Sequence, residues 1–222
     1  NVAYRESAKK ADYILYLNRY HPIAIVEAKD NKHSISHGLQ QAKEYAEMMD
    51  VPFAYSSNGD GFQEYDFLTG AERTLTMDEF PTVDALVARY KAERNDGQGL
   101  NAEEEKLIAQ PFYSSQTTYP PRYYQRNAVN RTLDAIARGQ DRILLVMATG
   151  TGKTYTAFQI VYRLLSSGVK RKVLYLADRN NLVDQSIQQD FAPLEKVIHK
   201  VNFAKDRRDT ITSYEVYFAL YQ

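Results

Sequence analysis

Thr149, Gly150, Thr151, Gly152, Lys153 and Thr154 form a run whose residue types suit phosphate. The glycines let backbone N–H groups curl around phosphate oxygens, and a helix N-terminus adds a favourable dipole. Lys153 can neutralise the β- and γ-phosphates, and the Thr154 hydroxyl can ligate Mg²⁺. Met147 stands where the general pattern G-x-x-x-x-G-K-[ST] has its first glycine, a departure from it. A second constellation lies near the start of the chain. Three [DE]-x-K triplets occur, at 27–29, 30–32 and 104–106, and only Glu27-Ala28-Lys29 directly follows an apolar stretch, residues 23–26. Strand alternation puts Glu27 and Lys29 on one face. Asp12 stands 15 residues earlier, where a hairpin would bring it beside Glu27. Two carboxylates and a backbone carbonyl suit Mg²⁺, and a nearby lysine can orient or deprotonate an attacking water. Gln41 and Tyr45 follow at i, i+4, hence on one helical face.

The elements needed to position these groups are legible in outline. Residues 11–17 and 23–26 read as strands, 36–49 as an amphipathic helix, 51–55 and 62–67 as a hairpin around a Ser-Asn-Gly-Asp-Gly turn, and 82–94 as a helix. Residues 95–121, rich in Gly, Ser, Thr, Tyr and Pro around a short helical stretch at 102–109, read as a linker. Beyond it come helix 123–138, a buried strand 143–147, the glycine loop, helix 153–165, strand 172–177 and helix 181–189. Strand–helix alternation of this kind indicates an α/β fold with a parallel sheet. Three segments follow: 1–94, the linker 95–121, and 122–222.

Composition narrows the class further. Hydrophobic residues at 44% and charged residues at 25% describe a globular chain. The absence of cysteine excludes a disulfide scaffold, a cysteine zinc site and a thiol nucleophile. The longest apolar run, residues 143–148, is far too short to span a membrane. Formal net charge is zero, yet residues 1–110 carry 12 basic and 19 acidic side chains and residues 111–222 carry 16 and 9. The second half is therefore the better suited to a polyanion. The four histidines read as surface or hydrogen-bonding residues.

Pro121-Arg122-Tyr123-Tyr124-Gln125, the loop with Lys153, and the segment from Leu174 to Gln185 resemble, in that order, the Q motif, motif I and motif Ia of superfamily 2 helicases and translocases. The Asp12, Glu27-x-Lys29 and Gln41-x-x-x-Tyr45 series resembles the RecB-like PD-(D/E)xK nucleases. Together they resemble the restriction (R) subunit of type I restriction–modification enzymes, from about Ala11 onward. That resemblance implies a PD-(D/E)xK nuclease core followed by the first part of a RecA-like parallel α/β motor lobe. It implies ATP and Mg²⁺ as cofactors, with Gln125 on adenine, the loop on the phosphates, Asp12 and Glu27 on the metal, and Lys29 orienting water. Duplex DNA and the modification and specificity subunits would be its partners, and the cytoplasm its location.

The resemblance also marks what is missing. No Walker B acidic pair follows Asp178, so the stretch is expected to belong to a longer subunit, and alone to bind ATP without hydrolysing it. The alternatives are a stand-alone helicase–nuclease of repair or defence, or a non-catalytic DNA-binding or docking module with a degenerate nuclease.

Overall fold

A β-hairpin, Tyr13–Asn18 (β1) against His21–Ala28 (β2), opens the described part of the chain. The computed structural model describes residues 10–116, 118–202, 204–207 and 212–221. The chain divides into two units, Asn1–Leu100 and Asn101–Gln222.

In the first unit, β2 runs parallel to Phe53–Ser57 (β3), with Leu39–Met49 (α1) forming the crossover. Gly61–Asp66 (β4) and Glu72–Thr76 (β5) then pair antiparallel to complete a sheet of order β1-β2-β3-β4-β5. The expected hairpin around 57–61 is the β3–β4 pair. Residues 21–27 are buried without alternation, as befits a strand covered on both faces. On one face Ala42, Tyr45, Ala46 and Met49 of α1 pack on Ile25, Val51 and Ala54. Each large apolar side chain so buried contributes about 1.5–3 kcal/mol. Asp50 ends α1 in the left-handed conformation, donating its N–H to the Ala46 and Glu47 carbonyls.

Phe53 and Tyr55 point to the opposite face, where Val83–Glu93 (α2) packs. The Thr82 side chain caps α2 by accepting from the Ala85 N–H. Arg89 of α2 lies 4.6 Å from the Phe53 ring centroid and binds both Glu64 and Asp66. Glu64, fully buried, also accepts from Arg73 and from the Tyr55 hydroxyl.

The second unit begins earlier than the linker reading 95–121 places it. Ala102–Ala109 (α3) is capped by the Asn101 side chain, and Glu104 binds Arg138 at the end of Tyr123–Ala137 (α4). Two buried side chains of Lys153–Ser166 (α5) hold the following residues. Gln159 bonds both the N–H and the carbonyl of Tyr113, and Arg163 donates to the carbonyls of Gln110 and Leu107. Residues 101–113 are thus built into this unit rather than free. Val173–Ala177 (β6), Ile198–Lys200 (β7) and Val216–Leu220 (β8) form a parallel sheet of order β6-β8-β7. Phe158 and Val161 of α5, Val183 of Asn180–Gln188 (α6), and Phe191, Val216 and Phe218 form its core. The chain is therefore mixed α/β with parallel pairing in both units.

One expectation fails. Residues 143–147 are not a buried strand: they form no ladder with the described residues, and Leu144 and Val146 are 85% and 87% exposed. A strand is a paired object, and among the described residues this apolar run has no ladder partner.

Candidate functional site

In the first unit the β1–β2 register sets Tyr13 opposite Val26, and so Asp12 opposite Glu27. The Asp12 N–H donates to Glu27 Oε1 at 3.4 Å, and the Ala28 N–H donates to Asp12 Oδ2 at 2.9 Å. Glu27 is 1% exposed. Burial first, then the charge of Asp12, pushes its carboxyl above the usual glutamate value, while the hydrogen bond from Lys29 pulls it back. Lys29 continues the ladder beyond β2, its N–H donating to the Ser57 carbonyl at 2.8 Å.

The Lys29 ammonium is held between two elements. It donates to Glu27 Oε2 at 3.4 Å and to Gln41 Oε1 at 2.9 Å, and the Gln41 amide donates to the Tyr45 hydroxyl at 3.2 Å. The structure thus brings Asp12, Glu27, Lys29, Gln41 and Tyr45 into one hydrogen-bonded series. The donor set fits a divalent cation: two hard carboxylates side by side, each accepting an N–H from the other's segment, one of them buried. Among the described residues no cluster of three or more His, Cys, Asp or Glu could hold a metal, so carbonyl and water oxygens would complete the shell. The His33 and His37 rings stack face to face with centroids 4.2 Å apart.

Ser56 was not singled out in the sequence. It is fully buried, pairs with Glu27 across β2–β3, and accepts the Gly38 N–H at 3.0 Å. The only sequence signal was Gly38 immediately before α1, where a polar cap is usual.

In the second unit Thr149, Gly150, Thr151 and Gly152 form the turn entering α5, whose first residues are Lys153 and Thr154. Gly150 and Gly152 take positive φ, 78° and 82°, which glycine permits without strain. A Cβ at Gly152 would also lie 2.4 Å from the Gln125 amide nitrogen. Gln125 is engaged on both sides: its oxygen accepts the Arg122 N–H and its nitrogen donates to the Thr151 carbonyl, each at 2.9 Å. Its amide, assigned to adenine on the sequence, is here a brace between α4 and the loop. Lys153 donates to the Met147 and Ala148 carbonyls at 3.3 and 3.2 Å. Beside the loop a cavity of about 270 Å³ is lined by Tyr119, Arg122, Tyr124, Gln125, Gly152 and Tyr155. Its aromatic rings and backbone amides fit a nucleotide base next to a phosphate cradle. No helix among the described residues is long and apolar enough to cross a membrane.

Comparison with known proteins follows the division into units. Residues 1–81 match the family described as type I restriction enzyme R protein N terminus, and residues 118–222 match the type III restriction enzyme res subunit family. The EcoAI endonuclease subunit of Escherichia coli, a type I restriction enzyme, is 44% identical over 225 residues, covering 100% of this chain and 27% of its own length. The EcoKI endonuclease subunit of Escherichia coli strain K12 is 27% identical, covering 80% of this chain and 18% of its own. A solved fragment described as an HsdR subunit of a type I restriction enzyme from Vibrio vulnificus superposes with a TM-score of 0.79 at 37% identity. It covers 99% of this chain and 38% of that one. The chain spans about a quarter or less of the curated relatives it matches. With a type I endonuclease subunit 44% identical over the whole of this chain and a type I R-subunit fragment superposing on 99% of it, the chain belongs to the R subunits of type I restriction enzymes.

Proposed function

We propose that this chain carries the DNA-cleaving centre of a type I restriction subunit and the nucleotide-binding start of its translocating motor. In this reading the first unit is a PD-(D/E)xK nuclease core and the second is the opening part of a RecA-like lobe. The reading rests chiefly on the unbroken series from Asp12 and Glu27 through Lys29 and Gln41 to Tyr45. An ion pair kept only for stability would not need a lysine held by a glutamine that a tyrosine holds in turn.

Asp12, Glu27 and the Ala28 carbonyl would hold Mg²⁺, which when bound polarises a phosphoryl oxygen and acidifies a bound water. Glu27 and Gln41 aim the Lys29 ammonium, leaving its remaining proton for a water or a phosphate oxygen. Gln41 stays in place because Tyr45, packed in the α1 core, accepts its amide hydrogen. In the second unit the loop amides and Lys153 would hold the phosphates of ATP, Thr154 would ligate its Mg²⁺, and the aromatic cavity beside Gln125 would take the base. Duplex DNA is the substrate, and modification and specificity subunits supply sequence recognition. The complex works in the cytoplasm, where foreign DNA arrives.

Lys29→Ala in the full-length subunit tests this. Cleavage of unmodified DNA by the reconstituted complex is expected to fall ~10²–10⁴-fold, the usual cost of losing a positioned proton-handling group, with ATP hydrolysis retained. Cleavage at the parent rate would overturn the nuclease assignment.

A further inference from the structure

Gly38 sits at the N-terminus of α1 with φ −89° and ψ −3°, a conformation open to any residue. Backbone freedom therefore does not explain the glycine. Space does. A Cβ at this position would lie 2.9 Å from Ser56 Oγ, 3.0 Å from Lys29 Cε and 3.2 Å from Glu27 Cβ. These neighbours do not yield equally. Ser56 is fully buried on β3 and tied to the Gly38 N–H, and Glu27 Cβ belongs to the buried strand β2. Lys29, with its side chain 23% exposed, is the flexible one. Its Cε carries the ammonium that bonds Gln41 and Glu27.

We propose that Gly38 is a positioning residue of the cleavage centre: the side chain it lacks leaves the space in which Lys29 reaches Glu27 and Gln41. Ser56 is its partner, holding the start of α1 against β2 and β3 at a separation that a methyl group would prevent. A methyl at position 38 pushes on the carbon next to the reacting nitrogen, and small displacements of positioned groups weigh heavily on rate. The inference rests on the nuclease reading above.

The experiment uses the full-length subunit in the reconstituted restriction complex and compares Gly38→Ala, Ser56→Ala, the double variant and Lys29→Ala. Gly38→Ala is expected to lower kcat for cleavage about tenfold or more. The DNA concentration for half-maximal rate, ATP hydrolysis and the melting temperature should be little changed. Alanine at 38 should reduce kcat by a smaller factor in the Ser56→Ala background, because one of the two fixed obstacles is gone and Lys29 need not yield alone. Parent-like cleavage by Gly38→Ala, or an equal factor in both backgrounds, overturns the proposal. So does unfolding by alanine at 38 in both backgrounds, which would make Gly38 a folding residue only. Parent-like cleavage by Lys29→Ala would instead remove the nuclease reading itself.

Discussion

Lys29 shows how one side chain takes its role from neighbours on two elements, Glu27 on its own strand and Gln41 on the next helix. The two outer members of the series differ in what they risk. Gln41→Ala removes the acceptor of the ammonium, and a roughly tenfold or greater loss of cleavage is expected with little change in stability, since Gln41 is only half-buried. Tyr45→Phe keeps the ring packed among Ile25, Ala46 and Met49 and deletes only the hydroxyl that accepts from Gln41. It should slow cleavage only a few-fold, because a neutral hydrogen bond is worth about 0.5–1.5 kcal/mol and Gln41 keeps its contact with Lys29. Cleavage rates of both variants at saturating Mg²⁺ check the order, and a Tyr45→Phe as damaged as Gln41→Ala would contradict it. Asp12 beside Glu27 was legible from the sequence because a hairpin of that length allows few registers. Ser56 was not, because its importance lies in touching Gly38, 18 residues away.

The element scale belongs to α2 and to the run before the glycine loop. Helix α2 is clamped to the sheet by Arg89, which binds Glu64 and Asp66. Burial alone would raise the Glu64 pKa, but hydrogen bonds from Arg89, Tyr55 and Arg73 outweigh it and hold the carboxyl below the usual value of 4.5. A depressed folded-state pKa gives stability that is present above the unfolded value and lost as pH falls through the folded one. The first unit should therefore weaken progressively below about pH 4.5. Glu64→Gln should lose about 1–3 kcal/mol at neutral pH, because the charge that Arg73 and Arg89 both face is removed while Arg89 keeps Asp66, and should show a shallower acid dependence. Denaturant titrations at pH 7 and pH 4 measure both effects, and an unchanged acid slope would contradict the assignment. Residues 143–147 carry the opposite prediction. With no ladder partner among the described residues, their amides should exchange with solvent within seconds in this chain, and should be protected in a longer subunit that supplies neighbouring strands. Slow exchange in the chain as it stands would mean a partner exists. Strand β5, with the sequence Glu-Arg-Thr-Leu-Thr, escaped the sequence reading for a related reason: it is a mostly exposed edge with no apolar stripe to betray it.

At the scale of the whole molecule, the two proposed chemistries, one on each unit, predict separable losses. Lys153→Ala should weaken ATP binding and, in the full-length complex, stop both translocation and the cleavage that depends on it. Lys29→Ala should stop cleavage alone. Normal cutting of translocation-dependent sites by Lys153→Ala would refute that coupling. The residues of both candidate sites stand in short local motifs, whereas the tie of residues 101–113 to α5 through Gln159 and Arg163 joins positions about 50 apart and leaves no local mark. The Lys153 ammonium already rests on the carbonyls of Met147 and Ala148, at the end of the unpaired run. A nucleotide would have to draw Lys153 away from these two carbonyls, and its measured affinity would be reduced in proportion to the fraction of molecules in which the lysine is held there. Neighbouring strands that fixed the backbone at Met147 would shift this balance, so on the proposed reading the grip on ATP would gauge how much of the sheet has been assembled.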